Sequence, residues 1–147
     1  LFNHESPLRG IEFVTRKISS EIAKIKFKKQ DKLHLGNIYA KRDWGFARDY
    51  VEAMWLMMQQ KKPEDYVIST GISHSVEEFL TLASEYAGLG DWQEFCVIDE
   101  SLKRPTDIEE SIGDSSKARS KLGWKPKIEF KELVKMMVEY DLNLQKT

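Results

Sequence analysis

Residues 41–58 read Lys-Arg-Asp-Trp-Gly-Phe-Ala-Arg-Asp-Tyr-Val-Glu-Ala-Met-Trp-Leu-Met-Met, and this stretch decides the fold class. Its first five residues read as a loop. From there Ala47, Tyr50, Val51, Met54, Trp55 and Met58 recur at helical spacing. That spacing predicts a long helix with the Met and aromatic stripe as its core face. Lys61-Lys62-Pro63 then ends it, because proline disfavours helical geometry in the residue before it.

Elements of two kinds flank this helix. Downstream, residues 66–69 (Tyr-Val-Ile-Ser) are rich in strand formers. Ser75 and Glu78 then form a Ser-x-x-Glu capping box ahead of Val76, Phe79, Leu80, Ala83 and Tyr86, which predicts a helix. A strand is expected over 95–98, and a short helix over 115–122 with Asp114 as cap and Gly123 as stop. Phe130, Leu133, Val134, Met137 and Val138 begin a last helix, with a fraying tail over 144–147. Upstream, 32–35 is a short strand halted by Gly36-Asn37, and Val14, Ile18, Ile22 and Ile25 place a helix over 13–26. Residues 1–12 read as a strand end running into a loop, with Pro7 and Gly10 as breakers. The alternation indicates an α/β class, mostly helices with a few short strands. Strands this few and short do not make a full doubly wound sheet from this chain alone.

The 147 residues provide for one domain with a modest core, and 41% apolar with 32% charged residues is ordinary for a globular chain. A net charge of -1 gives no general attraction to nucleic acid or to anionic lipid. The basic run Lys26, Lys28 and Lys29 is flanked by Glu21 and Asp31 and reads as a solvated helix end or loop. One cysteine, Cys96, excludes an internal disulfide framework and a multi-cysteine zinc site, and fits a reducing, cytoplasmic setting. No apolar run approaches the roughly 20 residues a membrane span needs. The opening residues lack the basic and apolar regions of a signal peptide, and start on what looks like the end of a strand, as a fragment would.

Catalytic machinery is not visible in these residues. There is no Gly-x-Gly-x-x-Gly loop, no Walker loop, no Gly-x-Ser-x-Gly elbow and no Tyr-x-x-x-Lys. His4, His34 and His74 show no metal-ligand spacing; His34 alternates in a strand and His74 precedes a helix cap. Cations in or beside loops remain: Arg42, Arg104 in Lys103-Arg104-Pro105, and Lys17 in the first helix. Arginine pairs bidentately with phosphate oxygens and lysine acts as a point charge, so the three suit a diphosphate clamp. Spacing alone favours ordinary surface charges.

Four ordered blocks weigh against that reading. They are Leu1-Phe-Asn-His-Glu-Ser-Pro-Leu-Arg-Gly10 with Phe13-Val-Thr-Arg-Lys-Ile18, Leu35-Gly-Asn37 with Arg42-Asp-Trp-Gly45 and Asp49-Tyr-Val51, and Asp65-Tyr-Val-Ile-Ser-Thr-Gly71 with Ser75-Val76. The fourth is Arg104-Pro105, Glu109 and Gly113-Asp-Ser-Ser-Lys117, then Leu122-Gly-Trp-Lys-Pro126. Together they cover nearly the whole chain, which resembles the GDP-mannose 4,6-dehydratase family. The last block is shared across extended short-chain dehydrogenases that act on sugar nucleotides. The Asn-His-Glu-Ser-Pro block followed by Phe-Val-Thr-Arg-Lys favours the dehydratase over a sister epimerase or 4-keto-sugar reductase. A self-standing, non-catalytic nucleotide-sugar-binding module is the alternative from another class.

The resemblance implies the C-terminal, substrate-binding part of an extended short-chain dehydrogenase over 1–147. Residues 1–12 are then the end of its Rossmann region, the rest of which is largely absent. Asn3 and Val14 are implied to contact the sugar and diphosphate region, and Lys17 to reach the nucleotide. Arg42 and Arg104 hold the diphosphate, Glu109 accepts from the ribose hydroxyls, and His4 and Arg9 touch NADP. The family converts GDP-mannose to GDP-4-keto-6-deoxymannose, on the way to GDP-fucose. Its Thr or Ser, Glu, Tyr and Lys catalysts lie before the point where this chain begins. A full-length homo-oligomer is implied as well. Two departures stand out: Leu8 occupies a position where the family usually carries arginine, and 88–102 is shorter and more acidic than the family pattern.

Overall fold

Ser75 and Glu78 close the expected capping box: the Ser75 hydroxyl accepts from the Glu78 amide at 3.0 Å, and the Glu78 carboxylate accepts from the Ser75 amide at 3.1 Å. The helix they start, α3 (Val76–Ala87), ends at Gly88, which sits in the left-handed region at φ 63°. There the Leu89 amide donates back to the Ser84 carbonyl at 3.1 Å, closing the turn that only a residue tolerant of positive φ allows cheaply. Sequence and backbone agree at the start of this helix.

The computed structural model describes residues 1–103 and 106–146. In chain order the elements are β1 (Asn3–Glu5), α1 (Val14–Lys26), β2 (Leu33–Leu35), β3 (Lys41–Arg42), β4 (Trp44–Phe46), α2 (Ala47–Met58), β5 (His74–Ser75), α3, β6 (Cys96–Ile98), β7 (Glu110–Ser111), α4 (Ser116–Leu122) and α5 (Phe130–Gln145). The strands form three small ladders. β1 runs parallel to β4, β2 runs parallel to β6, and β3 lies between antiparallel β5 and parallel β7. The α/β reading with few, short strands holds.

Helices α1, α3 and α5 pack on one another and bury the main core. Ile18 and Ile22 of α1, Phe79, Leu80 and Ala83 of α3, and Leu133, Val134, Met137 and Val138 of α5 are all fully enclosed. Truncating one of these large residues, Ile22→Ala for example, costs about 2–5 kcal/mol from lost transfer energy and the cavity left behind. An ion pair is buried in the same layer. Arg16 Nη1 stands 2.7 Å from Asp141 Oδ1, Ser19 Oγ donates to Asp141 Oδ2 at 2.7 Å, and Arg16 Nε donates to the Pro7 carbonyl at 2.8 Å. Those bonds tie the opening loop to α1 and α5.

A second, smaller core joins Tyr50 and Ala53 of α2 to Ile68, Ala118, Leu122 and Trp124. Asp49 anchors the segment after α4. Its carbonyl accepts from Trp124 Nε1 at 2.8 Å, and its carboxylate accepts from the Lys127 and Ile128 amides at 2.8 and 3.1 Å.

The structure corrects several expectations. Residues 41–45 are not a loop: they lie in β3 and β4, whose backbone groups pair with β1, β5 and β7 across the chain. The α2 stripe is not a core face. Tyr50 and Ala53 are enclosed, whereas Val51, Met54, Trp55 and Met58 are 59%, 40%, 61% and 81% exposed. This helix is apolar on two sides, and periodicity does not tell which side is covered. Helix α2 stops at Met58, before the Lys-Lys-Pro signal, and α5 runs on to Gln145. Residues 66–69 are extended, with Phe2 N–H donating to the Ile68 carbonyl at 2.9 Å, but no ladder forms there among the described residues. Ser115 takes the N-cap position of α4, while Asp114 accepts from the Ser116 amide at 2.8 Å.

Candidate functional site

The four residues Arg42, Asp43, Trp44 and Gly45 organise the candidate site, each in a different way. Asp43 is enclosed, and its Oδ1 accepts from the amide and hydroxyl of Thr70 at 2.8 and 2.7 Å. Its Oδ2 accepts from the amides of Gly71 and Gly113 at 2.9 and 3.3 Å. One carboxylate thereby fixes two loops against β3. Trp44 stacks on Phe130 at 6.0 Å and meets Phe79 edge-on. Gly45 lies against Tyr50, and a Cβ there would overlap the tyrosine ring.

Arg42 extends from this frame towards the loop before β7. Its Nη1 donates to the carbonyls of Lys41 and Ile108 at 2.8 and 2.6 Å, and its Nη2 to Asp107 Oδ1 at 2.7 Å. Asp107 Oδ2 accepts from Asn37 Nδ2 at 3.2 Å. The guanidinium is thus held in a fixed orientation at a partly exposed position.

Strand β1 is placed alongside by its ladder with β4, where Asn3 pairs with Trp44 and His4 with Gly45. Asn3 is exposed. His4 Nδ1 lies 2.9 Å from the Phe2 carbonyl, and its ring centroid is 5.3 Å from that of Tyr50. Tyr50 is fully enclosed, its hydroxyl has no hydrogen-bond partner among the described residues, and burial raises its pKa. Glu5 accepts from the Thr15 hydroxyl at 2.6 Å and stands 3.4 Å from Arg9 Nε; burial pushes its carboxyl up, against the pull of Thr15 and Arg9. The Arg9 guanidinium lies 3.5 Å over the Phe13 ring. Among the described residues its terminal nitrogens have no hydrogen-bond partner, so this clamped cation suits an anionic ligand.

Helix α1 supplies the next positions. Val14 opens it, half-buried against the main core. Lys17 Nζ donates to the His34 carbonyl at 2.6 Å, joining α1 to β2. Glu109 is exposed; its carbonyl accepts from the Lys41 amide at 2.7 Å. Its carboxylate has no partner among the described residues. Arg104 lies outside the described residues.

Asn3, His4, Arg9, Val14, Lys17 and Arg42 therefore lie on β1, the loop after it, α1 and β3. Sequence reading missed Asp107, Asn37 and Glu5. A signal existed for Asp107, an acid three residues beyond Arg104, and for Asn37, inside a quoted block. Glu5 sat in its block without an assigned partner. A separate groove of about 840 Å³, lined by Trp44, Thr70, His74, Arg119 and Phe130 among others, contains none of the seven described residues selected from sequence.

These short ladders set against a three-helix layer define the class: a mixed α/β fold that matches extended short-chain dehydrogenases. The chain matches the RMD protein of Pseudomonas aeruginosa, solved with NADPH, at a TM-score of 0.87 with 22% identity, covering 97% of this chain and 46% of that one. The UDP-glucose 4-epimerase of Thermotoga maritima, solved with UDP-glucose, matches at a TM-score of 0.80 with 26% identity, over 98% and 45% of the two chains. The family model described as GDP-mannose 4,6 dehydratase matches residues 1–137, and the chain belongs to that family.

Its relatives carry the same name. GDP-mannose 4,6 dehydratase 1 of Arabidopsis thaliana is 58% identical over 146 residues, covering 99% of this chain and 40% of the relative. The human GDP-mannose 4,6 dehydratase is 47% identical over 163 residues, covering 100% and 44%. The chain thus spans less than half the length of these relatives.

Proposed function

We propose that this chain is the GDP-sugar-binding portion of a GDP-mannose 4,6-dehydratase. The observation that carries the reading is the family match over 1–137, laid on a structure where Arg42 and Lys17 are oriented by internal partners. Arg42, with Arg104, would neutralise the diphosphate. Lys17 would meet the nucleotide at the end of β2. Asn3 and Val14 would line the sugar and diphosphate region, and Glu109 would accept from the ribose hydroxyls. A related epimerase, a 4-keto-sugar reductase or a binding module has no observation in its favour.

The reaction in such an enzyme oxidises C4 of the sugar, eliminates water across C5 and C6, and returns the hydride to C6. A nicotinamide dinucleotide, when bound, supplies the hydride acceptor. Arg9 fits such a group, because Phe13 and Glu5 fix the guanidinium and its outer nitrogens remain available. His4, next along β1, would share that contact. We assign NADP as the cofactor. Among structural neighbours, one protein is described with NADPH and others with NAD. The working form is a cytoplasmic homo-oligomer serving GDP-fucose synthesis. Among the described residues no helix is long and apolar enough to cross a membrane.

Calorimetry on the 147-residue chain tests the binding role. GDP and GDP-mannose should bind with similar affinity, and no 4-keto-6-deoxy sugar should form, with or without NADP. Absence of binding at millimolar nucleotide would overturn the assignment, and product formation would overturn the division between binding and catalysis.

A further inference from the structure

Helix α1 reaches the segment around Ser6 from two consecutive residues. The Thr15 hydroxyl donates to Glu5 Oε2 at 2.6 Å, and Arg16 Nε donates to the Pro7 carbonyl at 2.8 Å. From there to α1 the chain has no regular secondary structure and folds back on itself. The Leu8 and Arg9 amides return to Ser6 at 3.1 and 3.0 Å, and the Phe13 amide returns to the Gly10 carbonyl at 3.2 Å. Leu8 and Ile11 are 84% and 68% exposed, so apolar packing does little to hold this loop.

Arg9 spans the two ends of the loop. Its Nε stands 3.4 Å from Glu5 Oε2 at one end, and its guanidinium lies 3.5 Å over the Phe13 ring at the other. The position of that cation depends on where the backbone runs between Glu5 and Phe13. Arg16 fixes this path at Pro7.

Arg16 can do so because its own fork is held. Its Nη1 stands 2.7 Å from Asp141 Oδ1, and Asp141 Oδ2 accepts from the Ser19 hydroxyl at 2.7 Å. Both charged residues are buried, Arg16 at 8% and Asp141 at 2% exposure. A buried ion pair adds little stability over apolar residues of the same volume, so the effect of this one is directional. A planar guanidinium pinned at Nη1 presents its Nε along one line, and that line meets the Pro7 carbonyl. We infer that Arg16, aimed by Asp141 of α5, is a positioning residue for the cofactor contact, holding the loop so that Arg9 meets an anionic dinucleotide from a fixed place. This rests on the nicotinamide-dinucleotide reading of Arg9 above. An arginine on a free loop has to be ordered when its ligand arrives, which lowers affinity.

Two variants separate aim from bulk. Arg16→Lys keeps a cation beside Asp141 but replaces the fork with a point charge, which does not hold Asp141 and Pro7 along two fixed lines. Asp141→Asn keeps the shape and removes the charge that pulls on Nη1. In both, amide hydrogen exchange of the 147-residue chain should quicken about tenfold or more at Arg9 and Phe13. Amides inside α3 should exchange as in the wild type, which a general loss of stability would not allow. NADP affinity, read by chemical-shift titration, should fall about threefold or more in Arg16→Lys and about tenfold in Arg9→Gln. Loop exchange that stays unchanged, or that quickens equally in α3, overturns the proposal. So does an NADP affinity that falls in Arg9→Gln but holds in Arg16→Lys. If NADP binds Arg9→Gln as tightly as the wild type, or binds neither, the cofactor reading itself fails and the proposal falls with it.

Discussion

Arg42 Nη2 stands 2.7 Å from Asp107 Oδ1, an ion pair that joins β3 to the loop carrying the second expected diphosphate ligand. The pair orients the guanidinium before any ligand arrives. Pre-organisation lowers the entropy lost on binding, so Arg42 is worth more here than a mobile surface arginine.

Arg42→Ala should weaken GDP-mannose binding by about tenfold or more, since a charge-assisted contact contributes about 1.5–3 kcal/mol. Arg42→Lys should restore only part, because the bidentate fork is lost. Calorimetric titration decides it, and unchanged affinity in Arg42→Ala would remove the clamp assignment.

Glu109, beside β7, has no partner for its carboxylate among the described residues. If it accepts from the ribose diol, Glu109→Gln should weaken GDP binding without lowering the melting temperature. The wild type should prefer GDP to its 2′,3′-dideoxy analogue, and the variant should not. A wild type indifferent to the two ligands would exclude the ribose role.

Asp43 receives four hydrogen bonds inside the protein, from Thr70, Gly71 and Gly113. Asp43→Ala strips those donors of their acceptor and should destabilise the fold by at least about 3 kcal/mol. Denaturant unfolding measures it. A loss under about 1 kcal/mol would mean that solvent or the loops themselves satisfy the donors.

Burial raises the carboxyl pKa of both Asp141 and Glu5 above their ordinary values of 3.8 and 4.5. The folded state then binds protons more tightly than the unfolded chain at these two positions. Their contribution to stability is present below the ordinary values and is lost as pH rises through the raised ones. Melting temperatures of Asp141→Asn and Glu5→Gln, taken from about pH 4 to 6, should rise more steeply with pH than those of the wild type. A shallower slope in both variants would reverse the sign of this linkage.

Val51, Met54, Trp55 and Met58 leave an apolar stripe on the outside of α2. Contiguous exposed apolar surface drives association, so the isolated chain should self-associate as concentration rises. Trp55→Glu should suppress this in sedimentation experiments without altering the melting temperature. Association that persists unchanged would place the contact elsewhere.

Much of the helical content follows from local chemistry alone. The Ser75–Glu78 box, the left-handed Gly88 and Gly123, and the 14–26 and 130–145 stripes involve neighbours within a few residues, so sequence order suffices to read them. The four family blocks likewise lead to the family through residue order alone, because each keeps its residues close together along the chain. Other features depend on groups distant in the chain. Strands β3 and β4 are too short to carry a period, and exist because β1, β5 and β7 arrive beside them. The exposure of the α2 stripe follows from which of two apolar sides meets Ile68 and Trp124, a matter of tertiary packing. The partners of Arg42, Lys17 and Glu5 were also beyond sequence reading. Asp107 lies 65 residues from Arg42 and His34 lies 17 from Lys17, and spacing along a chain says nothing about such distances until the backbone between them is folded.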